Sequence, residues 1–256
     1  MDISCSFAHV NARIDPILIA TVSISVSEDI DSMSKRRDRL EQFLAKVTNG
    51  KPVEYYGRYI KNLAILGTFS QNEATINRIL AICTGVENLA LLAPARDFFE
   101  NPQAGRHLHR LSIKLDQAFS QRPGSKLNFY HPCFSNLTHL HLWDEEYNWP
   151  TYEGWETLTS LTHLAFARAV PADVTKLMQT LPTVQYVAVG HYDNSERYRF
   201  AEATVNHNPD TKAAWGARVV LFPEIPQNDW ERGARGQGDF WDLVEREVDR
   251  RLKRVG

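Results

Sequence analysis

Large apolar residues return along this chain in one phrase, large-x-x-large-x-large. It occurs as Ile60/Leu63/Ile65, Val86/Leu89/Leu91, Leu108/Leu111/Ile113, Leu137/Leu140/Leu142, Leu161/Leu164/Phe166 and Val184/Val187/Val189. The last two apolar residues of each phrase stand two apart, the period of a strand that buries one face. Successive phrases begin 26, 22, 29, 24 and 23 residues apart. A looser copy lies upstream at Ile19/Val22/Ile24, and a ragged one downstream around Val219 and Leu221. Between phrases the period changes to that of a helix: Ile76, Ile79, Leu80 and Cys83, then Val174, Leu177, Met178 and Leu181, then Leu40, Phe43, Leu44 and Val47. Ser70 with Glu73 reads as a capping box and Gly85 as a stop for the first of these helices. Pro171 suits the first turn of the second, with Pro182 just beyond its end. From Leu115 to Leu161 Pro123, Gly124, Pro132, Pro150 and Gly154 break the helical pattern and predict irregular loops.

A strand, a return segment and a parallel strand cannot bury an apolar face alone, so neighbouring units stack and share one core. The intervals fall in the roughly 20 to 29 residue range of leucine-rich repeats. The expected fold is therefore α/β, a leucine-rich-repeat-like solenoid with a curved parallel β-sheet and irregular helices and loops on its convex side. One domain is expected over 1–256: an N-terminal strand and helix at 14–59, repeats at 60–222, and a C-terminal loop and capping helix at 223–256. That last helix is read as capped by Asp239, with a stripe of Phe240, Val244, Val248 and Leu252 and a basic end at Arg250, Arg251, Lys253 and Arg254. The ninth position, Asn in many leucine-rich repeats, holds Thr68, Pro94, Asp116, Glu145, Ala169 and Tyr192, so no asparagine ladder is expected.

Composition narrows the classes. The chain has 256 residues, 43% of them hydrophobic, and 29 Lys+Arg against 31 Asp+Glu. Such a chain can build a core, and it lacks the basic surplus that nucleic acid or an anionic membrane would select. Three cysteines, Cys5, Cys83 and Cys133, have no C-x-x-C spacing and read as buried thiols in a reducing compartment. The opening residues have no secretory pattern, and the apolar stretch Ile14 to Val26 is too short to span a bilayer. An intracellular protein, cytoplasmic or nuclear, is the expectation, with the triplet Asn136-Leu137-Thr138 unglycosylated.

When the leucines of each phrase point inward, alternate positions project onto the concave side. One column there runs Asn62, Asn88, Arg110, His139, His163, Tyr186; a second runs Ala64, Ala90, Ser112, His141, Ala165, Ala188; a third runs Leu66, Leu92, Lys114, Trp143, Ala167, Gly190. Arg110, Lys114, His139, His141, Trp143, His163 and Tyr186 form the candidate partner-binding patch, with Asp144, Glu145 and Glu146 at its lip. Aromatic side chains beside cationic ones are favoured interface anchors. A sharper alternative is a metal-dependent hydrolase in which His139, His141 and His163 hold zinc and activate water. No G-x-S-x-G, G-x-x-x-x-G-K-[ST] or H-E-x-x-H motif is present, and the glycines Gly233, Gly236 and Gly238 do not have phosphate-loop spacing. The reading is non-catalytic, with no cofactor and no metal.

The phrases GRYIKNLAIL, GVENLALLA, NLTHLHLWD and SLTHLAFA, the terminal DWERGARGQGDFW and the opening FAHVNARIDPILIATVSIS resemble the leucine-rich-repeat-like region of fungal F-box-type proteins, over nearly the whole chain. The resemblance implies a substrate-recognition region that binds a protein partner. The segment through which such proteins dock a ubiquitin-ligase adaptor would precede Met1, so no residue here inherits that role. An inactive remnant of a longer F-box protein is the other possibility the resemblance leaves.

Overall fold

The computed structural model describes residues 19–25, 33–67, 72–119, 128–144, 149–190, 215, 218–222 and 229–255. All six phrases end in strands, and both outlying copies add one more. The strands are β1 (Thr21–Ser25), β2 (Asn62–Leu66), β3 (Asn88–Leu92), β4 (Arg110–Ile113), β5 (His139–Leu142), β6 (His163–Phe166), β7 (Tyr186–Gly190) and β8 (Val219–Phe222). They form one open eight-stranded sheet in chain order, every pair parallel. The register is in step with the phrase: Leu63, Leu89, Leu111, Leu140, Leu164, Val187 and Val219 make one continuous row. A one-residue slip anywhere would turn that row out of the core, so the alternation itself fixes the pairing.

The returns pack against this first face of the sheet. The helices are α1 (Met33–Asn49), α2 (Val53–Tyr59), α3 (Glu73–Ile82), α4 (Arg96–Glu100), α5 (Leu115–Ala118) and α6 (Pro171–Thr180). Leu40, Leu44 and Val47 of α1, Ile76, Ile79 and Leu80 of α3, and Val174 and Leu177 of α6 join the strand leucines in one buried cluster. Pro171 opens α6 as expected. The capping box does not form as read. Ser70 lies outside the described residues, α3 follows Asn72, and the Glu73 carboxylate accepts instead from the Arg96 N–H at 3.1 Å. Gly85 is required by crowding, since a Cβ there would stand 2.0 Å from the Gly57 carbonyl oxygen.

From β4 to β6 the returns are largely irregular. Beyond the one turn of α5, they consist of 3₁₀ turns at Pro132–Phe134, Trp149–Thr151 and Trp155–Thr157. Aromatic rings fill the volume that a helix would occupy: Phe129 meets Trp155 at 4.4 Å, and Trp149 stacks on Phe166 at 4.3 Å. Asp144 is buried here and does not form a lip of the second face. It accepts from the N–H groups of Leu115 and Asp116 at 3.0 and 2.9 Å and from the Tyr152 hydroxyl at 2.6 Å. Its carboxylate thus closes the turn after β4; Glu145 and Glu146 lie outside the described residues. Cys83 and Cys133 are buried free thiols, and burial pushes Cys83 up to about 12. Cys5 lies outside the described residues. Among those residues no helix is long and apolar enough to cross a membrane.

The C-terminal segment departs from its expected position. Helices α7 (Asp229–Ala234) and α8 (Phe240–Val255) do not cap an end of the sheet; they run across its second face from β1 to β8. The cause is the second column of that face. Ala64, Ala90, Ser112, His141, Ala165 and Ala188 leave a shallow trough, and Phe240, Trp241, Val244 and Val248 settle on its Ala165, Ala188 and Val220 end. Leu252 is not part of the buried stripe and is 53% exposed.

Candidate functional site

The second face is where the sequence places its unusual polar residues, and the chain's own C-terminal strap is hydrogen-bonded to β1, β2, β3, β4, β6 and β8. Thr21 and Asn62 donate to the Ala234 carbonyl, each at 3.4 Å. The Trp230 indole donates to Asn88 at 2.8 Å, and Arg110 pairs with Asp239 at 3.1 Å. His163 Nε2 stands 3.0 Å from Glu245 Oε1, and Arg251 donates to the Val219 carbonyl at 2.7 Å.

Local chemistry holds the strap in place. Asp239 is the N-cap of α8 and accepts from the Trp241 N–H, while Asp242 accepts from the Asp239 N–H; this reciprocal pair satisfies donors that a helix start leaves open. The buried Asp229 takes the next donor, the Phe240 N–H. Arg110 therefore grips the capping residue of the helix that lies over it.

Five of the seven candidate residues meet this strap. His139, His163 and Tyr186 form a ladder of stacked rings, with centroids 3.9 Å and then 4.6 Å apart. The Trp241 ring stands edge-on to both histidines at 5.4 Å. His141 is buried, against Phe240 on one side and Trp143 on the other. Burial lowers all three histidines from an ordinary 6.5: His139 to about 2, His141 to about 3 and His163 to about 4, with the Arg110 charge adding to the shift at His139 and His163. Lys114 and Trp143 belong to the third column, nearer the carboxyl ends of the strands. They are half-buried, as are Leu66 and Leu92 beside them. The Trp143 indole donates to Ser112 at 2.8 Å.

The three histidines do not come together as one ligand set. His139, His163 and Glu245 do, with one ligand atom of each within 4.8 Å of the others. His141 faces away from that group toward Ser112 and Phe240. Glu245, Asp239, Trp230 and Trp241 are absent from the sequence-derived patch. A signal for them was present: a column of alanines on a supposedly open sheet face leaves room for something to lie on it.

The chain matches no family model, and no similar curated protein or solved structure is found.

Proposed function

We propose that this chain is a non-catalytic protein-interaction module, a leucine-rich-repeat-like solenoid that recognises a protein partner along the second face of its sheet. The observation that carries the reading is the third column. Where the strap covers the first two columns, Leu66, Leu92, Lys114 and Trp143 form a half-exposed strip of two aliphatics, a cation and an indole. Such a strip combines apolar area with a charge that selects the partner, and the sheet beneath makes it rigid, which limits the ordering cost of binding. Five of the seven residues in the sequence-derived patch, Arg110, His139, His141, His163 and Tyr186, support the strap in this reading, and Trp143 and Lys114 touch the partner. The resemblance to F-box-type proteins supports a substrate-recognition role of this kind, with no adaptor-docking residue assigned.

The test is affinity capture followed by mass spectrometry, comparing the native chain with Trp143→Ala and Lys114→Ala. Partners that bind the strip are recovered with the native chain and are depleted about tenfold or more by Trp143→Ala, while the melting temperature stays within a few degrees. Equal recovery by native and variant chains removes the strip from the function.

A further inference from the structure

The threonine before each stacked histidine fixes where the imidazole protons are. Thr138 donates its single hydroxyl proton to the His109 carbonyl at 3.0 Å, so its lone pair receives the Nδ1–H of His139 at 2.9 Å. Thr162 repeats the arrangement, donating to the Thr138 carbonyl at 3.2 Å and receiving from Nδ1 of His163 at 2.8 Å. In the neutral ring each Nε2 is then a bare lone pair. The His139 Nε2 is buried without a hydrogen-bond partner. The His163 Nε2 faces a carboxylate oxygen of Glu245 at 3.0 Å, one acceptor against another. Three electron-pair donors therefore converge, and a metal cation would satisfy all three at once, whereas a proton shared between Glu245 and His163 would leave His139 Nε2 unpartnered.

We propose that His139 Nε2, His163 Nε2 and a Glu245 carboxylate oxygen bind one divalent transition-metal ion of the zinc class, and that this ion clasps α8 to strands β5 and β6. Two imidazole nitrogens with one carboxylate suit zinc and its neighbours, whereas magnesium and calcium prefer all-oxygen sites. The threonines supply the outer hydrogen bonds that orient metal-binding imidazoles. Local charge is mixed: Arg110, which pairs with Asp239, acts on both histidines and on Glu245 and opposes a second cation, while the carboxylates of Asp242, Asp239 and Asp249 around Glu245 favour one. Binding draws the ligand atoms from within 4.8 Å to about 3.4 Å, the spacing of a tetrahedral ion with bonds near 2.1 Å. Glu245 can make that movement, since its side chain is 41% exposed. The histidine rings must turn out of their parallel stack so that both lone pairs meet the ion. Water takes the fourth position.

The inference goes beyond the partner-binding reading, since neither Trp143 nor Lys114 is a ligand, and either can fail alone. The experiment titrates untagged, chelator-treated chain with Zn²⁺ by calorimetry and with Co²⁺ by visible absorption, with Mg²⁺ as the control. One equivalent of Zn²⁺ is expected, with an upward shift of the melting temperature and none from Mg²⁺. Glu245→Gln, which keeps a hydrogen-bonding side chain at a half-exposed position, should weaken Zn²⁺ affinity about tenfold or more. His107→Gln, on an exposed residue outside the site, should leave it unchanged. The proposal is overturned if the native chain takes up no zinc, or if Glu245→Gln binds it as tightly as the native chain does.

Discussion

At the residue scale the second face is governed by imidazoles held neutral. Because His139, His141 and His163 protonate less readily folded than unfolded, the unfolded chain carries more protons below an ordinary value of 6.5. Stability is then full above that pH and falls as pH drops toward the folded values, each group contributing up to about 1.4 kcal/mol per pH unit. Asp144, Asp239 and Glu245, raised chiefly by burial, act in the opposite sense nearer pH 4, so the comparison belongs between about pH 7 and 5.5. Urea denaturation at those two pH values, in the presence of chelator, should show the loss, to which His131, also lowered by burial, adds, and His141→Gln should reduce the slope by about a quarter. A flat profile would mean that these rings are solvated. Asp144 makes a second residue-scale test. Asp144→Ala leaves the buried Leu115 N–H, the partly buried Asp116 N–H and the Tyr152 hydroxyl without their acceptor and should cost about 2–4 kcal/mol in the same measurement.

At the element scale the strands were legible and the strap's position was not. A strand that buries one face shows its alternation wherever it lies, so Leu140 with Leu142 reads the same in the chain as in the sheet. The α8 stripe of Phe240, Val244 and Val248 likewise announces an amphipathic helix. What it packs against is a tertiary fact, decided by the alanines of β6 and β7, which are more than 50 residues away in sequence. The short helices α4 and α5 escaped notice because a single turn carries no period. Two substitutions probe these elements through thermal or urea unfolding. Asp239→Ala removes both the α8 cap and the Arg110 partner and should lower stability by about 1–2 kcal/mol. Gly85→Ala forces a Cβ into the Gly57 backbone and should cost about 1–3 kcal/mol, as overpacking does. The reverse outcome, a neutral Gly85→Ala, would show that α2 and α3 are further apart than described.

At the scale of the whole molecule, one sheet presents two unlike faces. The first is aliphatic and covered by the returns. The second is covered from β1 to β8 by residues 229–255, which leaves the third column as its half-exposed margin. The proposed partner-binding strip and the proposed metal clasp both depend on that arrangement, in which the strap lies over the first two columns of the second face. Histidine labelling with diethyl pyrocarbonate, read residue by residue by mass spectrometry, tests it most directly. The strapped sheet predicts fast modification of the exposed His107 and His109, with His139, His141 and His163 protected until the chain unfolds. Modification of His139 and His163 at the rate of His109 in the folded chain would show the second face open to solvent and would contradict the account.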